Sequence, residues 1–217
     1  MTNIRQIVND YFSKNKEMAT FTPQNQQRYI MNDKPEVLIR DATADDVKFV
    51  SDCVLASVDL YDFVNDSIEK YIALEVCGMD DTLYSYHNAR IATVDGRAVG
   101  CLVSYDGSIY EEARKKTFQI FKDAGREMTD TGVETLPGEY YLDSMAILPE
   151  YRGCDIGHIL MKDGIEKAGR LGIRKVGLIV EESKPELQKY YSVLGFRPVG
   201  EMKAFGDVYM KMILELE

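Results

Sequence analysis

Residues 140–171 leave this chain little choice of architecture. Tyr140 to Leu148 has strand character and is stopped by Pro149, which has no amide hydrogen to give a sheet. A short loop carrying Arg152 and Gly153 follows. Ile156 to Leu171 then reads as a helix that stops at Gly172, and Val176 to Val180 as a buried type of strand. Strand, tight loop, helix and strand in so short a span point to a mixed α/β sheet with helices on its faces.

The rest of the chain extends the pattern. Val37 to Arg40 is a short strand-like run, and Thr43 with Asp46 three residues later approaches a capping box. The helix it would start has an apolar stripe of Val47, Val50, Val54, Leu55 and Val58. A second helix is expected from Ser67 to Cys77, with Ile68, Tyr71, Ile72 and Val76 on one face. Ala89–Val94 and Ala98–Tyr105 read as strands joined by Asp95-Gly96, a strong hairpin signal. Residues 109–128 read as a helix, after which Gly132 and Pro137-Gly138 break the pattern. Pro185 to Leu194 is a helix with proline in its first turn and Gly195 at its stop. Phe196–Val199 and Val208–Leu214 close the chain as strands. Ahead of all this, Ile4, Ile7, Val8, Tyr11 and Phe12 have helical spacing, and a polar stretch rich in Gln and Asn runs on to Pro35. The expected division is an N-terminal helical arm, residues 1–35, and one α/β domain, residues 36–217.

Composition narrows the function. A net charge of −10, from 36 acidic and 26 basic residues, repels phosphate backbones and disfavours nucleic acid as a partner. It is compatible with a cationic substrate such as an amine. The four cysteines (Cys53, Cys77, Cys101, Cys154) form no C-x-x-C pair, and His87 and His158 are the only histidines. A zinc site or disulfide framework is therefore not expected, and no metal is assigned. Isolated cysteines suit a reducing cytoplasm. Neither an apolar N-terminal signal core nor a run of 18 apolar residues is seen, so membrane association is not expected.

Chemistry concentrates in residues 145–160. Where a strand passes through a short loop into a helix, backbone N–H groups lack partners and the helix dipole adds positive potential. Such a turn is an anion site suited to a pyrophosphate. Gly153 and Gly157 permit close approach of backbone to ligand, and Arg152 can add charge-assisted hydrogen bonds.

These residues resemble the GCN5-related N-acetyltransferases (GNAT family). That family carries Q/R-x-x-G-x-G/A at this junction, and Arg152-Gly153-Cys154-Asp155-Ile156-Gly157 fills the six positions. Asp155 stands where the family usually has glycine; aspartate is a favoured N-cap, so its side chain is expected to cap the helix. Ile39 to Thr43 resembles the family's first strand and helix start, and Tyr191-Ser192-Val193-Leu194-Gly195-Phe196 its Tyr-x-x-x-Gly-Phe. The resemblance spans roughly residues 37–214.

The resemblance implies a mixed, mostly antiparallel sheet of about seven strands, with helices on both faces and a splay between the fourth and fifth strands. It implies acetyl-CoA as co-substrate, bound by main chain at Met145, Ala146 and Ile147 and by the loop Arg152, Gly153, Cys154, Asp155, Ile156 and Gly157, with His158 at the phosphate end. Tyr191 holds the position of the acid that protonates the leaving thiolate, and Lys184 replaces the family's usual Asn. The base is expected on the fourth strand, where strict alternation would put Glu139, Tyr141, Asp143 and Met145 on one face. Asp143 is favoured, then Glu139. Acceptor choice falls to residues 59–88 and 105–141. There Tyr61, Tyr71, Tyr84, Tyr86, Tyr105, Tyr110, Tyr140 and Tyr141 accompany Asp59, Asp62, Asp66, Asp80, Asp81 and Asp106. Aromatic faces and carboxylates suit the amine of a small molecule or peptide. A homodimer is the default expectation for such an enzyme.

Other classes are a catalytically silent acyl-CoA-binding sensor or regulatory module, and a structural protein that uses its arm as an interface. A dinucleotide-binding oxidoreductase is disfavoured, because no G-x-G-x-x-G follows the first strand.

Overall fold

A computed structural model describes residues 35–58, 68–126 and 132–217. The arm expected over residues 1–35, with its helix at 3–13, lies almost wholly outside the described residues, as do Asp59, Tyr61, Asp62 and Asp66. In chain order the elements are β1 (Leu38–Asp41), α1 (Val47–Ser57), α2 (Ile68–Gly78), β2 (Ala89–Val94), β3 (Arg97–Asp106), α3 (Tyr110–Asp123), β4 (Glu139–Ile147), α4 (Ile156–Arg170), β5 (Lys175–Glu181), α5 (Pro185–Val193), β6 (Arg197–Ala204) and β7 (Asp207–Glu215). Among the described residues, no helix is long and apolar enough to cross a membrane.

The seven strands form one sheet in the order β1-β2-β3-β4-β5-β7-β6. Every neighbouring pair is antiparallel except β4 and β5. That parallel pair is short, with Glu139, Tyr140 and Tyr141 opposite Lys175, Val176 and Gly177. Past Tyr141, β4 continues to Ile147 and β5 to Glu181 without a ladder between them. This is the splay expected between the fourth and fifth strands.

Each face of the sheet buries its own cluster. Leu102, Tyr140 and Leu142 pack with Ile156, Leu160 and Met161 of α4. On the other face Cys101, Val103, Tyr105 and Tyr141 pack with Val50, Cys53 and Val54 of α1. The alternation along β3 and β4 therefore serves two cores at once. Ile72 and Val76 of α2 join Ile120 of α3 in a third, smaller cluster.

Local chemistry accounts for the junctions. Asp95 (φ 50°) and Gly96 (φ 76°) are both left-handed, as a two-residue primed hairpin turn demands. The capping box forms, with Asp46 accepting from the Thr43 amide at 2.8 Å, but it starts a 3-10 turn, Ala44–Asp46, that leads into α1. Arg40 locks the same carboxylate with two bonds of 2.6 and 2.7 Å, which holds Asp46 down at about 2.

Three expectations are corrected. Tyr71 does not share the buried face of α2: it is 69% exposed, while Ile72 and Val76 are buried. The helix expected over residues 109–128 ends at Asp123, and the chain leaves it through the left-handed Gly125. Strict alternation along β4 fails at Asp143. Val103 pairs with Ser144 and Ser104 with Leu142, so Asp143 is an extra, bulged residue. Tyr141 faces the α1 side, whereas Met145 and Ile147 face α4.

Candidate active site

The splay opens into a cavity of about 370 Å³. Its walls come from α1, α2, α3, the middle of β4, the end of β5 and one side of α5 through Leu187 and Tyr191. Asp143 and Met145 of β4 and Tyr191 of α5 all line it, as does Lys184, just ahead of α5. The bulge matters here, because it displaces Asp143 from the ladder at the point where β4 leaves β5.

Two carboxylates meet on this wall. Asp143 accepts from the Tyr105 hydroxyl at 2.6 Å and from the Ser144 hydroxyl at 2.8 Å. Burial raises its pKa, and both hydroxyl donors pull it back by stabilising the charged form. Glu134, in the segment between α3 and β4, is only 8% exposed and lines the same cavity. It accepts from the Tyr141 hydroxyl at 2.7 Å, while Tyr110 reaches it at 3.4 Å. Burial, and then the charge of Asp143, push it up to about 8. Tyr84 and Tyr105 are held well above the usual phenol range, first by burial and then by these same two charges.

Tyr191 is half-buried, with its ring edge-on to Phe196 (centroids 6.1 Å apart) and to Tyr190 (5.4 Å). Desolvation raises its pKa, so the hydroxyl keeps its proton at neutral pH. Lys184 is ion-paired to Glu181 at 3.4 Å.

The loop after β4 turns back onto the strand, with Arg152 Nε donating to the Ile147 carbonyl at 3.3 Å. Gly153 is left-handed (φ 83°), and a Cβ there would meet nothing within 4 Å. Asp155 holds the N-cap position of α4 but makes no capping hydrogen bond with its side chain. It is instead left-handed, with φ 70°. Aspartate is one of the few non-glycine residues that tolerate this region, which explains how it occupies a glycine position. At Gly157 a Cβ would meet only the tips of Ile147 and Met145, at 3.4 and 3.6 Å. Cys154 is half-buried, and His158 is exposed on the first turn of α4.

The sequence profile of the Acetyltransferase (GNAT) family matches residues 57–196. The chain belongs to the GNAT acetyltransferase family. Solved structures agree on the fold. An acetyltransferase crystal structure is 27% identical, with a TM-score of 0.69, covering 83% of this chain and 100% of that one. An N-acetyltransferase from Staphylococcus aureus Mu50 is 20% identical with a TM-score of 0.69, over 82% and 100%. The NatC complex bound to Gag peptide and CoA is 16% identical with a TM-score of 0.52, over 84% and 99%. The last two speak for the fold alone. A search of curated protein sequences gives no match.

Against this GNAT frame, the structure gathers Asp143, Met145 and Tyr191 around one cavity and sets Glu139 apart. Glu139 is not among the lining residues; its carboxylate is taken up by Lys211 (2.8 Å), Thr135 (3.1 Å) and the Leu136 amide (3.3 Å). It anchors the segment leading into β4. The aspartates expected to recognise an amine are engaged at the surface: Asp80 with His87, Asp81 with Lys116, and Asp106 with the Ser108 amide. Glu134 was missed. Its segment reads as a loop between glycines, and no spacing marks it. The one available signal was the density of tyrosines in 105–141, whose hydroxyls need acceptors once buried.

Proposed function

We propose that this enzyme transfers the acetyl group of acetyl-CoA to the amine of a small molecule or peptide by direct attack. The observation that carries the reading is that Asp143 and Tyr191 line one cavity at the splay of β4 and β5. A carboxylate and a protonated phenol lining one cleft are the proton acceptor and donor that the reaction needs.

The residues present fit acetyl-CoA. On its β5 side, β4 main chain from Leu142 to Ile147 has no ladder and is available to a pantetheine arm. Exposed Arg152, left-handed Gly153 and the first turn of α4 suit its pyrophosphate. CoA supplies the activated thioester. Asp143 takes a proton from the ammonium, giving the neutral amine. The nitrogen attacks the acetyl carbonyl carbon, main-chain N–H groups of β4 stabilise the oxyanion, and the C–S bond breaks as C–N is completed. Tyr191 gives its proton to the thiolate and regains one from the nitrogen. The balance is ammonium plus acetyl-CoA to amide plus CoA thiol, with one proton left on Asp143 for solvent. The four free cysteines, Cys53, Cys77, Cys101 and Cys154, suit a cytoplasmic setting.

Thiol release from acetyl-CoA with a panel of amines tests this. Wild type turns over, Asp143→Asn loses roughly 10²–10⁴-fold in kcat/KM, and Tyr191→Phe loses kcat with little change in KM. Acetyl-CoA binding with no thiol release for any amine would instead mark a silent sensor.

A further inference from the structure

Four tyrosines stand near Asp143 and Glu134, and the hydroxyls of three are engaged. Tyr105 donates to Asp143 at 2.6 Å, Tyr141 donates to Glu134 at 2.7 Å, and Tyr110 accepts from the Glu134 amide at 3.3 Å. The fourth, Tyr84, lines the cavity with the two carboxyl groups, and among the described residues its hydroxyl has no hydrogen-bond partner. After burial, the groups that act on it most are Asp143 and then Glu134, so it is close to both without bonding to either. An unpaired phenol so far inside a protein needs a partner from elsewhere. Its position is fixed. The ring packs against the α1-side cluster of the sheet and against Ile72, Val76 and Ile120. In the turn that carries it, Thr82 Oγ1 donates to the Val76 carbonyl at 2.6 Å and the Leu83 amide donates to Thr117 at 3.0 Å. Asn88 closes the turn by donating to the Thr82 and Leu83 carbonyls at 3.2 and 3.1 Å. A hydroxyl held this way is pre-set for a ligand. Burial also keeps its proton in place at neutral pH, so it can hydrogen-bond to the acceptor but cannot serve as its base.

We propose that Tyr84 makes the enzyme selective for primary amines, its hydroxyl oxygen accepting an N–H of the acceptor nitrogen seated at Asp143. The inference rests on the acetyl-transfer reading above. A primary ammonium carries three hydrogens. One passes to Asp143 before attack. A second passes to Tyr191 as the C–N bond is completed and the C–S bond breaks. The third stays on the nitrogen of the product amide. Tyr84 holds that third hydrogen from binding to release, and so keeps the lone pair turned toward the thioester carbon. A secondary ammonium has only two hydrogens, and the reaction consumes both. Its second carbon substituent would then face the Tyr84 oxygen and leave it without a partner, which is costly.

The test uses the full chain, acetyl-CoA and matched acceptors: n-butylamine, phenethylamine and glycinamide, each beside its own N-methyl derivative. Wild type favours the primary amine of each pair in kcat/KM by roughly tenfold or more. Tyr84→Phe lowers kcat/KM roughly tenfold for the primary amines and less than about threefold for the N-methyl ones, so the preference shrinks. Both members of a pair are measured on one preparation, so any loss of folded protein cancels in the ratio. The melting temperature and the acetyl-CoA affinity of Tyr84→Phe stay at their wild-type values, because the ring is kept and the hydroxyl bonds to nothing in the protein. A preference that is absent in wild type, or unchanged in Tyr84→Phe, would overturn the inference and leave acetyl transfer standing. Calorimetry separates the remaining case. Failure to bind acetyl-CoA, with no thiol released by any acceptor, would sink the underlying reading and this inference together.

Discussion

Glu134 resists ionisation through burial and through Asp143, and this has a consequence for stability. Unfolded, a glutamate titrates near 4.3; folded, this one is pushed up to about 8. Between those values the folded chain holds the extra proton. The stabilising contribution is full below the lower value and is lost as pH rises through the upper. Thermal melts should show stability declining from about pH 5 to pH 9, with Glu134→Gln flattening that decline. Asp143, also raised, leaves a residual slope. An unchanged slope in the variant would show that Glu134 titrates normally. Asp155 gives a second prediction at this scale. Its charge stands at the N-cap of α4, where a pyrophosphate would bind. Asp155→Gly and Asp155→Asn should both tighten acetyl-CoA binding by about two- to fivefold, the size of one charge at a helix terminus. Equal affinities in a direct titration would mean that the carboxylate points elsewhere. Residues of this kind divide sharply in legibility. Arg152, Gly153 and Tyr191 stood out because their types and spacings are unusual together. Glu134 did not, because its role arises from two tyrosines, Tyr110 and Tyr141, and one aspartate brought to it by the fold.

Elements were easier to read than their edges. The β4–loop–α4–β5 unit, the Asp95-Gly96 hairpin and α5 between Pro185 and Gly195 follow from local chemistry, and each forms where periodicity and breakers place it. The bulge at Asp143 has no local signature. It is a misfit between the registers of β3 and β4, so only the paired strands reveal it. Placement of Glu134 also depends on an approach between distant segments. A Cβ on Gly107 would lie 2.2 Å from the Leu136 carbonyl oxygen and 2.8 Å from Thr135, both in the segment that carries Glu134. Gly107→Ala must push that segment away. Melting should show a loss of about 1–3 kcal/mol, as overpacking usually costs. Kinetics should show KM for the amine rising while acetyl-CoA affinity holds. Weakening of both together would mean that the damage is general.

At the scale of the molecule, the account rests on a division of labour along one cleft. In the proposed reading, the open edge of β4 and the loop at 152–157 receive the donor, and the pocket between α1, α2 and α3 receives the acceptor. Asp143 and Tyr191 line the cavity at the splay. The mixed sheet was legible from the order of elements, because strands that alternate with helices must be covered on both faces. The depth of the acceptor pocket was not, since it depends on how α2 and α3 lean together through Ile72, Val76 and Ile120. The most direct test of the whole is a calorimetric titration of wild type and Arg152→Ala with acetyl-CoA. Saturable binding that weakens roughly tenfold or more in the variant, the worth of a charge-assisted hydrogen bond to phosphate, is the predicted result. No binding by wild type would contradict acetyl-CoA as the donor, and equal binding by both proteins would remove the pyrophosphate from the 152–157 loop.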